Sequence, residues 1–223
     1  IDVFETLSAK LVKMVRDVKE AQQVKQRAVA QVILGDSTKL GSLVPDDEVS
    51  CVITSPPYPN RISYVWETRP HLYFFKIFST PIEAGLLDCD TIGGTWGRAT
   101  SILQKEIVTP CRPEVDEAVG PIAESIRTKN HGDPRANLMA NYVTKYFNGM
   151  YKHLEELAKV ARKGCQCAYV VGNSRIKNVD VPTDLILADL FEGIGFKTER
   201  IIRIRKRIGR KNLYEAIIHT KLI

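Results

Sequence analysis

Long apolar runs are missing from this chain. None approaches the roughly 20 residues that a membrane-crossing helix needs, and the opening residues do not read as a secretory signal. Cysteine is scarce: there are five, at 51, 89, 111, 165 and 167, an odd number at irregular spacing. That excludes a disulfide framework and leads us to expect a reducing, cytoplasmic setting. Cys165 and Cys167 have no second pair or histidine at ligand spacing, so no metal site is expected. Alternate strand positions share a face, and the two read as small buried residues. The four histidines, 71, 131, 153 and 219, form no cluster, and the two tryptophans, 66 and 96, read as packing residues. Repeats and low-complexity tracts are absent. What remains is ordinary for a folded domain: 44% hydrophobic, 26% charged, with a net charge of +6. That balance mildly favours a polyanionic partner.

Periodicity orders the chain. Apolar residues at three- and four-residue steps from Phe4 to Val18 predict an N-terminal linking helix over 1–27. "AVAQVIL" (28–34) and "EVSCVIT" (48–54) read as buried strands. A helix is expected in 66–79, after Pro70. Residues 81–136, with "IGGTWGR" and several prolines, read as an irregular insert with short helices, a candidate target-recognition or mobile region. A stripe from Leu138 to Val160 predicts a long helix over 137–163, stopped by Gly164. A strand follows at 167–173, then a helix at 182–196 with Pro182 in its first turn and Gly193 and Gly195 at its end. Strands at 197–207 and 212–221 close the pattern. The fold class is α/β: a mostly parallel sheet with an antiparallel edge hairpin, helices on both faces, and a core drawn from 28–80 and 137–223.

The strand at 48–54 runs straight into Ser55-Pro56-Pro57-Tyr58. In open α/β sheets, ligands sit at the carboxyl ends of strands. Two prolines fix φ and restrict the residues before them, so this loop is stiff. It can present the Ser55 hydroxyl and backbone carbonyls as fixed acceptors, with Tyr58 as a flat stacking face. Such an arrangement suits a planar ring carrying an amino group. Asp36 and Ser37 follow the first apolar run at the same rim; Asp36 either serves a ligand or caps a turn.

"TSPPYPNRISY", with "GDSTKL" upstream and "HLEELAKVARKGCQCAYVVGNSRI" downstream, resembles the S-P-P-Y amino-methyltransferases that act on DNA, the cytosine-N4 type above all. The likeness covers residues 28–80 and 138–221. It implies a Rossmann-like sheet, S-adenosyl-L-methionine as cofactor, DNA as partner and a place in restriction–modification. Adenine-N6 methylation of DNA or RNA, or a catalytically incomplete nucleic-acid-binding subunit, are the alternatives. It further implies that the base is flipped out of the duplex. Ser55 and the Pro56 carbonyl would accept hydrogen bonds from its amine, Pro57 would keep the loop rigid and Tyr58 would stack on the ring. Asp36 and Ser37 would lie beside the cofactor's adenine. Asn60, Arg61, Tyr64, Asn173 and Arg175 would line the base pocket or grip phosphate.

Two lookalikes fail on context. "DLFEGIGF" (189–196) matches F-x-G-x-G, the family's methionine-binding motif, but a helix precedes it where a strand is needed, so its glycines read as a helix stop. The Pro-Cys of "TPCRP" (109–113) follows no strand and reads as a loop cysteine. The cofactor half of the sheet is therefore expected to be incomplete. Residue 1 is Ile rather than Met, which suggests a missing N-terminal segment carrying F-x-G-x-G. A second chain that supplies the motif, or a cofactor site that has been lost, would account for the same gap. Last, "RIIRIRKRIGRK" (200–211) is densely basic. Arg205, Arg207 and Arg210 are expected to contact phosphates, unless the stretch is a solvated edge strand protected by charge.

Overall fold

Asp2 starts the first helix. Its carboxylate accepts from the backbone N–H groups of Phe4 and Glu5, at 2.8 and 3.2 Å, and caps α1 (Val3–Gln22). In this computed structural model, residues 2–23, 29–105, 107–206 and 212–223 are described. The chain divides into two units, Ile1–Leu34 and Gly35–Ile223. In the first, α1 is exposed along its whole length, and residues 29–34 form no strand. The strand expected at 28–34 is thus corrected: an apolar run becomes a buried strand only between neighbours, and Val29, Val32 and Leu34 are almost fully exposed.

The second unit begins with a 3-10 turn, Ser37–Ser42, and β1, Val49–Thr54. Helices α2 (Tyr64–Phe74), α3 (Pro81–Asp90), α4 (Arg98–Lys105) and α5 (Pro113–Lys129) follow. Within 81–129, α3 and α4 are short helices of the kind expected in the insert, and α5 is longer. Local chemistry explains the starts. Ser63 caps α2, and Thr80 caps α3 with Pro81 in the first turn and Glu83 answering the cap. α5 also joins the core, through Val115, Val119, Ala123 and Ile126.

The long helix α6 (Ala136–Val160) contributes more residues to the core than any other described element, with Tyr142, Tyr146, Phe147, Met150 and Leu154 fully buried. It passes directly into β2 (Ala161–Gly172). Gly164 does not cap the helix; it sits inside β2 with φ of +85°, where the register against β1 shifts between Val49 and Cys51. Only glycine enters that backbone region without strain. A small hairpin, β3 (Ser174–Ile176) with β4 (Val179–Val181), adds to the expected strands. Then come α7 (Thr183–Gly193), β5 (Phe196–Lys206) and β6 (Tyr214–Leu222). Gly193 ends α7 and Gly195, at φ of +104°, turns the chain into β5, as the stop reading requires.

The main sheet runs β1-β2-β6-β5. β1 and β2 are parallel, while β6 pairs antiparallel with both β2 and β5. The antiparallel part thus extends beyond the expected edge hairpin, because β6 inserts between β5 and β2. One face, including Cys165, Cys167, Tyr169 and Ile218, packs into the same core as α5, α6 and α7. The other carries Ile53, 81% exposed, and Ile202. Helices therefore cover one face among the described residues, not two. Cys165 and Cys167 share the buried face, with their sulfurs 3.9 Å apart, and burial pushes both thiols up. No described helix is long and apolar enough to cross a membrane.

Candidate active site

The S-P-P-Y loop leaves β1 at its carboxyl end and is pinned from beneath by α6. The Tyr146 hydroxyl, fully buried, donates to the Pro57 carbonyl at 2.7 Å. One turn earlier on the helix, the Tyr142 hydroxyl accepts from the Arg61 backbone N–H at 3.0 Å. Burial pushes the Tyr142 phenol up to about 12 and the Tyr146 phenol well above its ordinary value, so both stay protonated at neutral pH. Gly93, with φ of +80°, lets the Ile92–Thr95 turn approach the same point; a Cβ there would lie 3.5 Å from the Tyr146 ring and 3.9 Å from Pro57.

Held this way, the loop leaves Ser55 exposed, with its hydroxyl 3.4 Å from that of Tyr58. Among the described residues no backbone N–H donates to the Pro56 carbonyl. Pro57 is different: its carbonyl already accepts from Tyr146, which anchors the loop to α6. Asn60 folds back on the loop, its side chain accepting from the Ile62 N–H at 3.2 Å. Arg61 adopts a left-handed φ of +62° and is exposed, and Tyr64 begins α2, half exposed.

Asp36 caps the 3-10 turn, accepting from the Thr38 N–H at 2.9 Å and the Thr38 hydroxyl at 2.8 Å, and pairs with Lys39 at 3.5 Å. These partners hold its carboxyl below the usual range. The local, capping role considered for Asp36 is thus present. Asp36 and Ser37 also border a cavity of about 480 Å³ together with Lys39, Pro57, Leu87 and Ile92. Below it, His153 on α6 bridges loop and sheet: Nδ1 lies 3.1 Å from the Ser37 carbonyl and Nε2 2.7 Å from the Tyr169 hydroxyl. A carbonyl can only accept, so Nδ1 carries the proton and Nε2 accepts from Tyr169. Burial lowers the His153 pKa, and the bond to Ser37 opposes that in part.

The other expected residues separate. Asn173 positions the start of β6: its side chain accepts from the Tyr214 N–H at 2.8 Å and donates to the Asn212 carbonyl at 3.0 Å. Arg175 stands on the β3–β4 hairpin, 3.6 Å from Asp180. Arg205 pairs with Glu215 at 2.7 Å and lies near enough to Tyr58 to feel its phenol. Arg207 and Arg210 lie outside the described residues. Beside Arg205, Arg203 stacks on Tyr214 at 4.2 Å, and the Tyr214 hydroxyl donates to Asp184 at 3.0 Å. Cys111 is half-buried, with burial pushing its thiol up, which suits a structural cysteine. Tyr142, Tyr146, Gly93, Tyr214 and Glu215 join the site only through the fold. Both tyrosines of α6 lie on its apolar stripe, where a core aromatic and a hydroxyl that supports a loop look alike in sequence.

The S-P-P-Y loop thus stands at a strand's carboxyl end, where open α/β sheets bind their ligands, with a ligand-sized cavity beside it. Comparison with known proteins adds a second line. The chain is 28% identical over 166 residues to the type II methyltransferase M.AvaI of Nostoc sp., covering 70% of this chain and 32% of that protein. It is 23% identical over 223 residues to the type II methyltransferase M.BsoBI of Geobacillus stearothermophilus, covering 94% of this chain and 44% of that protein. No family model matches. The chain thus spans less than half of the length of these curated relatives.

Proposed function

We propose that this chain is the acceptor-holding part of a DNA amino-methyltransferase of restriction–modification, transferring methyl from S-adenosyl-L-methionine to the exocyclic amine of a flipped-out base, with cytosine N4 as the target. One observation carries the reading: Tyr146 engages the Pro57 carbonyl and holds the loop, while Ser55 is exposed and no backbone N–H among the described residues donates to the Pro56 carbonyl. Two acceptors match the two N–H groups of a cytosine amine. Accepting from both turns the nitrogen lone pair out of the ring plane and toward the electrophile, which is catalysis by orientation. As the N–C bond forms, the methyl's bond to the donor sulfur would break and leave a neutral thioether; positive charge grows on the nitrogen, the same oxygens stabilise it through its N–H groups, and the released proton passes to solvent. Tyr58 stacks on the ring, and the amine is itself the nucleophile, so no enzyme-bound intermediate is required. The similarity to two type II methyltransferases supports this assignment.

We assign the cavity lined by Asp36, Ser37, Pro57, Leu87 and Ile92 to the adenosine end of the cofactor: Pro57, Leu87 and Ile92 offer apolar contact for a ring and Asp36 a carboxylate for an amine. When bound, the cofactor supplies an electrophilic methyl group on a sulfonium. No glycine-rich turn between a strand and a helix lies beside that cavity among the described residues, so the fit extends to the adenosine end alone. The test is incorporation of radiolabelled methyl into DNA by the protein carrying this chain, followed by nucleoside analysis. N4-methylcytosine is the expected product. N6-methyladenine would replace the base assignment, and no incorporation would overturn the reading.

A further inference from the structure

One helix supports every wall of the cavity beside the S-P-P-Y loop. Tyr142, Tyr146, Gly149, His153 and Glu156 follow one another along α6 at steps of four and three residues, so they share a face. Lys145 lies one turn before Gly149 and borders that stripe. Three pieces of chain line the cavity: residues 35–39, Pro57, and residues 87–92. Each gives one backbone carbonyl to a donor on α6. His153 Nδ1–H donates to the Ser37 carbonyl at 3.1 Å, the Tyr146 hydroxyl to the Pro57 carbonyl at 2.7 Å, and the Lys145 ammonium to the Cys89 carbonyl at 2.8 Å. Glu156 adds a fourth tie, accepting from the Gly41 N–H at 2.9 Å, just beyond the first piece. Among the described residues no backbone hydrogen bond joins one of the three pieces to another. Their common support is α6.

Gly149 stands among these donors, inside a 25-residue helix where alanine would be the better helix former. A Cβ there would lie 3.0 Å from Cγ1 of Ile92 and 3.4 Å from its Cγ2. Carbon atoms pack best somewhat farther apart, so Ile92 would have to give. Ile92 lines the cavity, and any displacement of it moves a wall. We propose that α6 is the template of the cofactor cavity: Lys145, Tyr146 and His153 fix the spacing of its walls, and the absent side chain at Gly149 lets Ile92 lie against the helix and leaves the cavity its width. These are positioning residues, which act through the walls. A helix holds such spacing more closely than loops do. The Tyr146 bond also orients the S-P-P-Y loop, so one rigid element sets the donor site against the acceptor site, where a small misplacement costs rate steeply. The proposal rests on the reading above in taking this cavity as the adenosine site.

The test is a double-mutant cycle on the whole chain, read by calorimetric titration with S-adenosyl-L-homocysteine, the demethylated cofactor. Gly149→Ala should weaken binding about tenfold, the scale of coupling between residues in contact. Ile92→Ala removes the two carbons that the new methyl would meet, so Gly149→Ala made on top of it should cost less than about twofold. A role in helix stability alone predicts no such dependence on residue 92, because alanine favours the helix in either background. Lys145→Met keeps the stem and loses the donor, and should also weaken binding by about tenfold. Circular dichroism confirms that each variant is folded, and Lys145→Met decides the matter if the Gly149 variants do not fold. Equal losses from Gly149→Ala in the two backgrounds, or unchanged affinity in Gly149→Ala or in Lys145→Met, would overturn the template. Absence of binding to the unsubstituted chain would overturn the cavity assignment along with it. Methyl incorporation into DNA is measured separately, so failure of the methyltransferase reading is told apart from failure of the template.

Discussion

The Tyr146 hydroxyl reaches across 89 residues of sequence to hold the Pro57 carbonyl at 2.7 Å. Tyr146→Phe removes the donor and little else. The orphaned carbonyl is half-buried, so the loss of stability should sit near the lower end of the roughly 1–3 kcal/mol typical of such deletions. Turnover should fall more than that, because the loop gains freedom just where orientation matters. Urea unfolding and steady-state methylation together separate the two effects; a change in KM alone, with turnover intact, would contradict the anchoring role.

Ser55→Ala should lower turnover by about 100-fold, the usual scale for losing one charge-stabilising group. DNA binding should change little, since in the proposed role the oxygen acts on the amine and not on the backbone. Equal losses in binding and turnover would argue against its place at the amine.

Gly94→Ala and Gly35→Ala make a contrasting pair. A Cβ on Gly94 would lie 1.7 Å from the Asp88 carbonyl, which is backbone and cannot swing aside, whereas on Gly35 it would meet the tip of the Leu43 side chain at 2.3 Å. The first should cost about 3 kcal/mol or more, and the second distinctly less, because a rotamer change relieves it. Denaturant midpoints compare them.

Acid should weaken the coupling of the Asp36–Ser37 turn to the sheet through His153. Its folded pKa is lowered, so the unfolded chain binds the proton first. The contribution is fully present above about pH 6.5, the unfolded value, and is lost as pH falls through the folded value. His153→Gln should flatten stability against pH in that window, as measured by thermal melts from pH 5 to 8.

Arg203→Gln and Arg205→Gln should each reduce the salt slope of DNA binding, by up to about one unit for each phosphate that the arginine neutralises. Arg205 is already paired with Glu215, so Glu215→Gln should steepen the slope. Identical slopes in all variants would leave the β5 edge as a solvated strand.

Much of the α/β pattern is legible locally. The α6 stripe, the β5 alternation and the proline stop at Ser55 are short-range signals, each fixed by a few neighbouring residues. The 28–34 run differs because its fate depends on neighbouring strands, and Gly164 because a helix stop and a strand irregularity both require a positive φ. The 81–136 stretch looks irregular in sequence because prolines at 81 and 113 read as breakers, although each opens a helix.

The sequence by itself determined that a rigid, proline-locked loop ends a strand, because proline geometry is a property of the residue. Only the tertiary structure decided which carbonyl of that loop is already taken, that Asn173 serves β6, and that Trp66 and Trp96 pack against each other. Those are long-range hydrogen bonds and packings, and no local pattern encodes which distant partner a side chain will find.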